Sequence, residues 1–569
     1  MSLSGLLPLL YDQPGYGALA RGIATGEDVR SGAPLDTTRP YLLSALHADV
    51  TGQQGRPMIV VTPRPDRARQ LYEGLLAYSP PNTPIYLFPA PDLLPYERIA
   101  PDPTIVGERL RVLASLGTRG SGLGISVPHS NTTNPQSLTP SPPIIVTSVL
   151  ALMQPAMAPD DLGYAVRTLK RGEQVDLREL LGHLVDLGYE SVAMVDAPGQ
   201  FSRRGGIVDI YAPTSTLPVR IEFFGDEVDS IRVFNPLTQR SERQAEGVII
   251  TPSCEMPLWK RESAAQKLRE INPDSLREEV REEWEAQLQK IEMGECFEGM
   301  ELFAPYYAQP LTSLADYLAL WADEGRRTED ESNYELRITN YNQADQSKIR
   351  VPSGRPKSKI GRPLLVLDDP DLIRLEAGEI ERQAADLYKS FIDNGELPPG
   401  LLRPYLKWDE VAAHGRGLPV LSFGGEDTRG ALEAPHFELP PLYAGKIDTA
   451  IEEIGDMLAQ RARVIIVSQQ SARLRELLEE ADIYPTLRKG TVDGRRQTAD
   501  GLNPQLVGVE QVALSAGGKG MVESLTAPPS MGSVHLLQGT LAAGWRLPQF
   551  GQSHVVLLTD AELFGRSSA

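Results

Sequence analysis

Short apolar runs that alternate with helical stretches constrain the fold of this chain most strongly. The first runs are Met58-Ile59-Val60-Val61, Ile85-Tyr86-Leu87-Phe88 and Ile144-Ile145-Val146-Thr147. Helical patterns lie between them, from Asp66 to Ala77 and from Thr104 to Leu116. Runs without polar alternation are typical of strands buried on both faces. The sequence therefore predicts an α/β fold in which helices cover both sides of a parallel sheet.

The pattern changes after about residue 155. A predicted helix over 177–187 is followed by segments of strict apolar–polar alternation at 206–211, 219–224 and 230–234. Proline, glycine and aspartate separate these segments, which is typical of tight turns. Three successive strands of this kind predict a β-meander, and hence a small inserted α+β domain.

The parallel-sheet pattern returns in the second half of the chain. A charged helix is expected over 262–293, with a break near Pro273, and Leu364-Leu365-Val366-Leu367 then resumes the buried-strand pattern. This run is expected to complete the first sheet. A further α/β unit combines strands at 464–467 and 555–558 with a helix over 472–481. We expect Asp66, Ser148 and Ser471 to cap the helices that follow them.

These patterns divide the chain into four predicted segments. Residues 1–155 hold the first part of the sheet, 156–250 the inserted domain, 251–400 the second part of the sheet, and 401–569 a separate small α/β domain. Three stretches, 120–143, 324–360 and 491–532, are polar or rich in glycine and serine. Such compositions bury little apolar surface, so loose insertions are expected there.

Composition excludes several classes of protein. The formal net charge of -20 argues against a broad DNA-coating surface, which needs clustered lysine and arginine. The two cysteines, Cys254 and Cys296, stand outside any motif of metal-ligand spacing, and so few thiols suggest a reducing compartment. The amino terminus lacks the pattern of a signal peptide, and no apolar run is long enough for a membrane helix. A soluble, cytoplasmic protein without a metal site is expected.

ATP hydrolysis would need a phosphate-binding loop of the form GxxxxGK[ST]. The sequence contains no such string; the nearest candidates are Gly445-Lys446, Lys489-Gly490-Thr491 and Gly518-Lys519-Gly520. The run 364–369, LLVLDD, resembles a Walker B strand, but without a phosphate loop a strand that ends in an acidic turn is the favoured interpretation. We therefore expect no enzymatic activity, no catalytic residue and no cofactor.

A cluster of arginines precedes and enters the predicted meander. Arg203 and Arg204 stand before two glycines, and alternation places Arg220 and Glu222 on one face of the next strand. A sheet face with guanidinium and carboxylate groups suits polar recognition of a partner. An ordinary solvated strand face is the alternative.

The same region carries a resemblance to a known family. The string GQFSRRGGIVDIYAP, followed by LPVRIEFFGDEVDSIRVFNPLTQRS, is similar to the UvrA-docking domain shared by UvrB and the transcription-repair coupling factors (Mfd). FPAPDLLPYE and IVGERLRVLASL upstream, with FAPYY, PLTSLADYL and LLQGTLAAGWRLPQFGQSHVVLLTDAELFG downstream, also resemble the coupling factors. The resemblance covers most of the chain outside the three predicted insertions.

The resemblance implies a function. It implies a degenerate RecA-like sheet without a working nucleotide site and an inserted UvrB interaction domain that binds UvrA through Arg204, Arg220 and Glu222. An arginine of UvrB aligns with Ser202, and Arg203 beside it is a candidate replacement. In this family RNA polymerase and double-stranded DNA are bound by further domains, which are expected to be absent from this chain. A non-catalytic recruitment module for transcription-coupled nucleotide excision repair is therefore expected.

Two other functions remain open at this point. A UvrB-type ATP-dependent DNA-damage-binding protein would need a phosphate loop and an aromatic hairpin, and neither is evident. A domain that inhibits a separate translocase motor would bind that motor rather than UvrA. The docking hypothesis predicts that Arg220→Glu abolishes UvrA binding and leaves thermal unfolding unchanged.

Overall fold

The computed structural model describes residues 2–91, 94–98, 102–117, 142–318, 362–425, 429–485, 525, 527–548 and 554–565. The predicted insertions 120–143, 324–360 and 491–532 lie largely outside the described residues. In chain order the strands are β1 (Val29–Ser31), β2 (Met58–Thr62), β3 (Ile85–Phe88), β4 (Ile144–Ser148), β5 (Arg167–Lys170), β6 (Glu190–Ser191), β7 (Gln200–Arg204), β8 (Ile207–Tyr211), β9 (Val219–Phe224), β10 (Glu227–Phe234), β11 (Ser241–Ala245), β12 (Gly247–Ile250), β13 (Leu364–Asp368), β14 (Val420–Phe423), β15 (Arg463–Ser468), β16 (Val534–Gln538), β17 (Trp545–Leu547) and β18 (Val555–Thr559). The α-helices with described bounds are Pro8–Tyr11, Tyr16–Thr25, Arg39–Leu46, Pro65–Tyr78, Pro103–Gly117, Val149–Met153, Pro159–Ala165, Leu177–Asp186, Arg261–Arg269, Glu278–Met293, Ala304–Tyr307, Pro370–Asp393, Trp408–His414, Ile447–Ala459, Ser471–Glu480 and Asp560–Phe564.

The first sheet has six parallel strands in the order β1-β14-β13-β2-β4-β3. β2 and β4 are buried at every position, as expected for parallel strands covered on both faces. β13 returns from beyond the inserted region to pair with β2, so the predicted completion of the sheet and the α/β class are confirmed. β14 also joins this sheet, although it follows residue 400, where the sequence predicts a separate domain to begin. The four domain bounds remain a prediction.

The two faces of the first sheet supply two separate hydrophobic cores. Ile59 of β2 packs on one side in a core shared with helix Pro103–Gly117. Val60 packs on the other side in a core shared with helix Pro65–Tyr78. Burial of a side chain of this size stabilises the fold by about 1.5–3 kcal/mol. The alternation along β2 therefore joins helices on both sides into one layered unit.

The second sheet has six strands in the order β11-β10-β9-β8-β7-β6. β6 and β7 are parallel, and the other neighbours are antiparallel. The predicted meander corresponds to β8, β9 and β10, while the flanking β7 and β11 were not predicted. Both missed strands are mostly polar at the sequence level, QFSRR and SERQA, and their backbone pairing is what makes them strands.

A buried arginine links the first sheet's helices to a two-stranded sheet beside the second sheet. This stem consists of β5 and β12, and Glu255 follows β12 in the chain. The guanidinium of Arg109, on helix Pro103–Gly117, donates to both carboxylate oxygens of Glu255 at 2.5 and 3.0 Å. It also donates to the carbonyl oxygens of Pro89 and Pro155 at 3.0 Å each. A buried, fully paired arginine of this kind fixes how the two regions meet.

The last sheet runs β16-β15-β18-β17, with only the β17–β18 pair antiparallel. It packs against the first region through Trp545, whose ring stacks on Tyr41 with the centroids 5.0 Å apart. The indole nitrogen of Trp545 donates to the hydroxyl of Tyr78 at 2.9 Å. The small α/β unit therefore shares a core with the first sheet's helices.

The helix ends test the predicted caps. Ser148 is a cap, because its hydroxyl accepts from the backbone nitrogen of Ala151 at 3.3 Å. Asp66 and Ser471 are not, because those helices begin one residue earlier or at Ser471 itself, with Arg64 and Gln470 at the N-cap positions. The charged helix is interrupted around Pro273, as predicted. No helix in the described ranges has the length and apolar character to cross a membrane.

Candidate functional site

One face of the second sheet is apolar and the opposite face is polar. Val208, Ile210, Ile221 and Val233 are almost completely buried in the core that includes helix Leu177–Asp186. Because successive strand residues point to opposite faces, the residues between them lie on the other side. This outer face includes Ser202, Arg204, Ile207, Asp209, Arg220, Glu222, Phe224, Ser230, Arg232 and Phe234.

The register of the strands arranges the outer face in two rows. One row runs across the sheet as Ser202, Asp209, Arg220 and Arg232. The second row runs as Arg204, Ile207, Glu222 and Ser230. Arg220 and Glu222 therefore lie roughly 7 Å apart along β9, and Arg204 lies about 10 Å from Glu222 across the sheet.

Arg220 is held by its neighbours rather than projecting freely into solvent. Its Nε and one terminal nitrogen donate to the two carboxylate oxygens of Asp209 at 2.7 and 2.8 Å. The Arg220 Cζ lies 4.8 Å from the centre of the Phe234 ring. The hydrogen bond to Asp209 raises the pKa of Arg220, with a smaller Coulomb contribution from Glu222. The remaining guanidinium donors are thus presented in a defined orientation.

Glu222 is held in a similar way. Its Oε2 accepts from the hydroxyl of Ser230 at 2.7 Å and from Arg232 at 3.3 Å. The Glu222 side chain is 29% exposed and that of Arg232 39% exposed. Carboxylate oxygens can accept several hydrogen bonds, so Glu222 retains acceptor capacity for a partner.

The two turn arginines differ in where they point. Arg204 is exposed at the end of the second row, and its guanidinium donates to the carbonyl of Ala193 at 2.7 Å. Arg203 pairs with Val208, an inner-face residue, and its guanidinium donates to the carbonyl of Gly205 at 3.2 Å. The structure brings Arg204, Arg220 and Glu222 to one face and does not bring Arg203 there. Arg203 is therefore poorly placed to replace a side chain at Ser202.

Ser202 occupies the outer-face position itself. Its side chain is buried, and its hydroxyl donates to the Ala193 carbonyl at 3.1 Å. The Arg204 guanidinium donates to the same carbonyl, so the segment around Ala193 supports both residues. A short serine at this position leaves no cation in the first row on β7.

Several outer-face residues were not identified from the sequence. Asp209, Ser230 and Phe234 each contact Arg220 or Glu222, but only the pairing of β8, β9 and β10 reveals those contacts. Phe224 continues the alternation of Arg220 and Glu222 on β9 and is 83% exposed. An exposed phenylalanine beside charged side chains is a common feature of docking sites, and this alternation could have revealed it.

The carboxyl edge of the first sheet is where a related fold would bind a nucleotide. The connection from β1 to helix Arg39–Leu46 is residues 32–38, GAPLDTT, and only Pro63 and Arg64 separate β2 from the next helix. Neither connection contains the Gly-Lys-Ser/Thr core of a phosphate loop. Asp368, at the end of the Walker B-like strand β13, is ion-paired with Arg39 and, at 3.0 Å, with Arg67. Asp369 caps the next helix by accepting from Leu372 N at 3.1 Å. Both acidic side chains of the LLVLDD run are therefore already engaged within the chain, Asp368 in ion pairs and Asp369 in a helix cap.

Within the part of the chain that the structure describes, no group of three or more histidine, cysteine, aspartate or glutamate side chains could hold a metal ion.

Comparison with known proteins matches this region to a family. Residues 168–256 match the model of the UvrB interaction domain, and they contain the whole outer face. The chain is 25% identical to the transcription-repair-coupling factor of Mycobacterium bovis over 99% of its own length and 39% of the relative. It is 24% identical to that of Staphylococcus aureus over 91% of the chain and 37% of the relative, and 30% identical to that of Staphylococcus haemolyticus over 48% and 23%.

These matches define what the chain resembles. It spans between about a quarter and two fifths of the length of the first curated relatives that it matches. It carries a UvrB interaction domain, and its similarity to transcription-repair-coupling factors runs through most of its length, consistent with their amino-terminal half. The predicted resemblance is confirmed.

Proposed function

We propose that this chain, with its UvrB interaction domain and its similarity to transcription-repair-coupling factors, docks UvrA in the cytoplasm through the outer face of the second sheet. It acts in transcription-coupled nucleotide excision repair as a recruitment module that performs no catalysis itself. RNA polymerase and double-stranded DNA are partners that the same similarity suggests for a full-length coupling factor.

The observation that carries the proposal is the meeting of Arg204, Arg220 and Glu222 on one face within the matched residues 168–256. Three arginines, Arg204, Arg220 and Arg232, stand there against the two carboxylates of Asp209 and Glu222. Glu227, paired with Phe224 at the end of the face, adds a further carboxylate, so charges of both signs alternate there. Such an arrangement favours a specific partner with a complementary surface over general solvation.

Preorganisation supports the same conclusion. Ordering a long side chain at an interface costs about 0.5–1.5 kcal/mol. Asp209 and the Phe234 ring already hold the Arg220 guanidinium, so part of this cost is met in the folded chain. Phe224 adds an exposed apolar ring at the end of the same face, where partner contact would remove it from water.

The absence of catalysis is part of the proposal. Its support lies in the connection 32–38 after β1, which has no Gly-Lys-Ser/Thr sequence, and in the pairing of Asp368 with Arg39 and Arg67. A carboxylate engaged by two arginines is poorly available to hold magnesium. We therefore expect no ATP turnover above background in an assay run beside the binding experiment.

The binding experiment compares Arg204→Glu with Arg203→Glu in titrations of the purified chain with UvrA. The two variants change the same charge at neighbouring exposed positions, but only Arg204 belongs to the outer face. Arg204→Glu is expected to weaken binding by about 30-fold or more, since loss of one partner of an interfacial charge pair costs about 2–5 kcal/mol. Arg203→Glu is expected to bind UvrA nearly as the unchanged chain does.

Arg220→Glu is a less direct test than the sequence suggested. It would place a carboxylate against Asp209, so lower stability is expected together with weaker binding. Equal loss of binding in the Arg203 and Arg204 variants would show that net charge, rather than this face, governs the interaction. Unchanged binding in both would reject the docking face.

A further inference from the structure

We infer that Cys254 and Cys296 form a dithiol site that closes reversibly to an intramolecular disulfide. The two Sγ atoms lie 3.2 Å apart, although the residues are 42 positions apart in the chain. Both thiols are free in the structure. The two cysteines follow strand β12 and helix Glu278–Met293 and lie outside the outer face. The inference therefore does not depend on the proposed docking of UvrA.

The turn at residues 187–188 contacts the Cys296 thiol and the residue that precedes Cys254. A Cβ atom on Gly188 would lie 3.2 Å from the Cys296 Sγ, so that thiol packs directly on the Gly188 backbone. The backbone nitrogen and hydroxyl of Ser253, beside Cys254, both donate to the Leu187 carbonyl at 2.9 and 3.1 Å. Cys296 is thus positioned by direct contact with the turn 187–188 and Cys254 through its neighbour Ser253, so the pair needs little rearrangement to react.

The two thiols have different exposure, which suggests different roles. As a residue, Cys296 is exposed, whereas Cys254 is half-buried. The Cys254 thiol also donates to the Met256 carbonyl oxygen at an Sγ–O distance of 3.7 Å. The hydrogen bond between the thiols lowers the pKa of Cys296 and so favours its thiolate. Cys296 is therefore the attacking group, and Cys254 is the resolving group.

The chemistry needs an oxidant, and a peroxide is sufficient. The Cys296 thiolate attacks one oxygen of hydrogen peroxide, the O–O bond breaks, and a sulfenic acid and water form after uptake of one proton. The Cys254 sulfur then attacks the sulfenic sulfur, and its proton leaves with the hydroxyl group as a second water. Two thiols and one peroxide thus give one disulfide and two waters. A dithiol reductant reverses the reaction by thiol–disulfide exchange.

The bond would link two parts of the junction. Cys254 follows the stem strand β12, and Cys296 follows helix Glu278–Met293. Closure of this loop restricts the unfolded chain and stabilises the junction without involving the outer face.

The test treats the purified full chain with hydrogen peroxide and follows free thiols, intact mass and thermal unfolding. We expect both thiols to disappear together, the mass to fall by two hydrogens, and the unfolding temperature to rise by about 3–8 °C. Dithiothreitol should reverse all three changes. Oxidation should also be about tenfold or more faster in the native chain than in urea.

Cys254→Ser and Cys296→Ser are the matched controls. Neither variant should show the mass loss or the rise in unfolding temperature, and Cys254→Ser should leave an oxidised Cys296 that a sulfenic acid reagent captures. Independent oxidation of the two thiols, a linked dimer between chains, or a disulfide that forms only in urea would each overturn the inference.

Discussion

Two regions of this molecule each contain a cluster of arginines and carboxylates, and they differ in burial. At the edge of the first sheet, Asp368 and Arg39 have side chains that are 2% and 9% exposed, and they pair with each other. On the outer face of the second sheet, Arg220 is 21% exposed, and Arg204 at its end is also exposed. The same residue types therefore stand in a closed cluster in one region and in an open one in the other.

This difference indicates what each cluster can do. A buried charge without a partner is expensive, so the groups around Asp368 are committed to one another. A half-exposed guanidinium keeps donors for a second partner while its first partner fixes its direction. The first cluster is therefore expected to govern stability, and the second to govern recognition.

The largest expected effect tests the closed cluster. Asp368→Ala leaves Arg39 and Arg67 with only the more exposed Asp36 as a shared partner. We expect the free energy of unfolding to fall by about 3 kcal/mol in urea titrations, the lower end of the cost of breaking a buried pair. The folded fraction should still bind UvrA. Asp386→Ala, on the exposed side of the following helix, is the control and should leave the urea midpoint unchanged. Similar midpoints for the two variants would contradict the assignment.

A pH titration of stability tests a second buried polar group of the first region, His47. Burial lowers the pKa of His47 to about 4, opposed in part by a backbone hydrogen bond. The unfolded chain takes up this proton near pH 6.5, so the stability from a neutral His47 is complete above that pH and is lost as pH falls toward 4. Between about pH 7.5 and about pH 5 the loss is about 2 kcal/mol.

His47→Asn isolates this contribution. The variant has no imidazole to titrate, so its unfolding free energy should fall less across the same pH interval, by about 2 kcal/mol. Urea titrations at both pH values measure the difference. Equal pH dependence in the two chains would exclude His47 as the source.

The next effect tests whether the open cluster is preorganised. Asp209→Asn keeps the shape of the side chain but removes the charge that orients Arg220. We expect a fall of about 1–2 kcal/mol in unfolding free energy and a several-fold loss of UvrA affinity. Asp226→Asn, in the exposed turn after β9, is the control for charge and should change neither quantity. A loss of stability with full affinity would mean that Arg220 needs no support to bind.

The smallest effect concerns the apolar end of the outer face. Phe224 is 83% exposed, so Phe224→Ser should leave thermal unfolding unchanged. If the ring contacts UvrA, affinity should fall about fivefold, which corresponds to about 1 kcal/mol. Leu237→Ser, 92% exposed in the turn after β10, should bind UvrA normally. Equal effects of the two changes would place Phe224 outside the interface.

The sequence predicted the elements with the strongest pattern. The strand Ile85–Phe88 was predicted with the bounds that the structure shows, and β2, β4, β13, β15 and β18 were located to within about one residue. Their buried apolar runs are a local signal. β7, β11 and β14 were missed because polar or short segments become strands only when a neighbour pairs with them.

The candidate site likewise has features that the sequence predicted and features that only the pairing of strands decided. Alternation placed Arg220 and Glu222 on one face, and β9 confirms it, since Ile221 between them is buried. The difference between Arg203 and Arg204 depends on the register of β7 against β8, which the sequence does not specify. The contact between Cys254 and Cys296 likewise joins segments that are distant in the chain.

By itself, the sequence determined the α/β class, the inserted β domain and the strand that carries Arg220 and Glu222, because these follow from local periodicity and residue type. Only the tertiary structure decided that Asp209 holds Arg220, that Arg39 and Arg67 occupy the Asp368 carboxylate, and that two distant thiols meet. The reason is physical: whether a charged or reactive side chain is committed depends on which neighbour is brought within a few ångströms of it and how much water remains, and both follow from packing of distant segments.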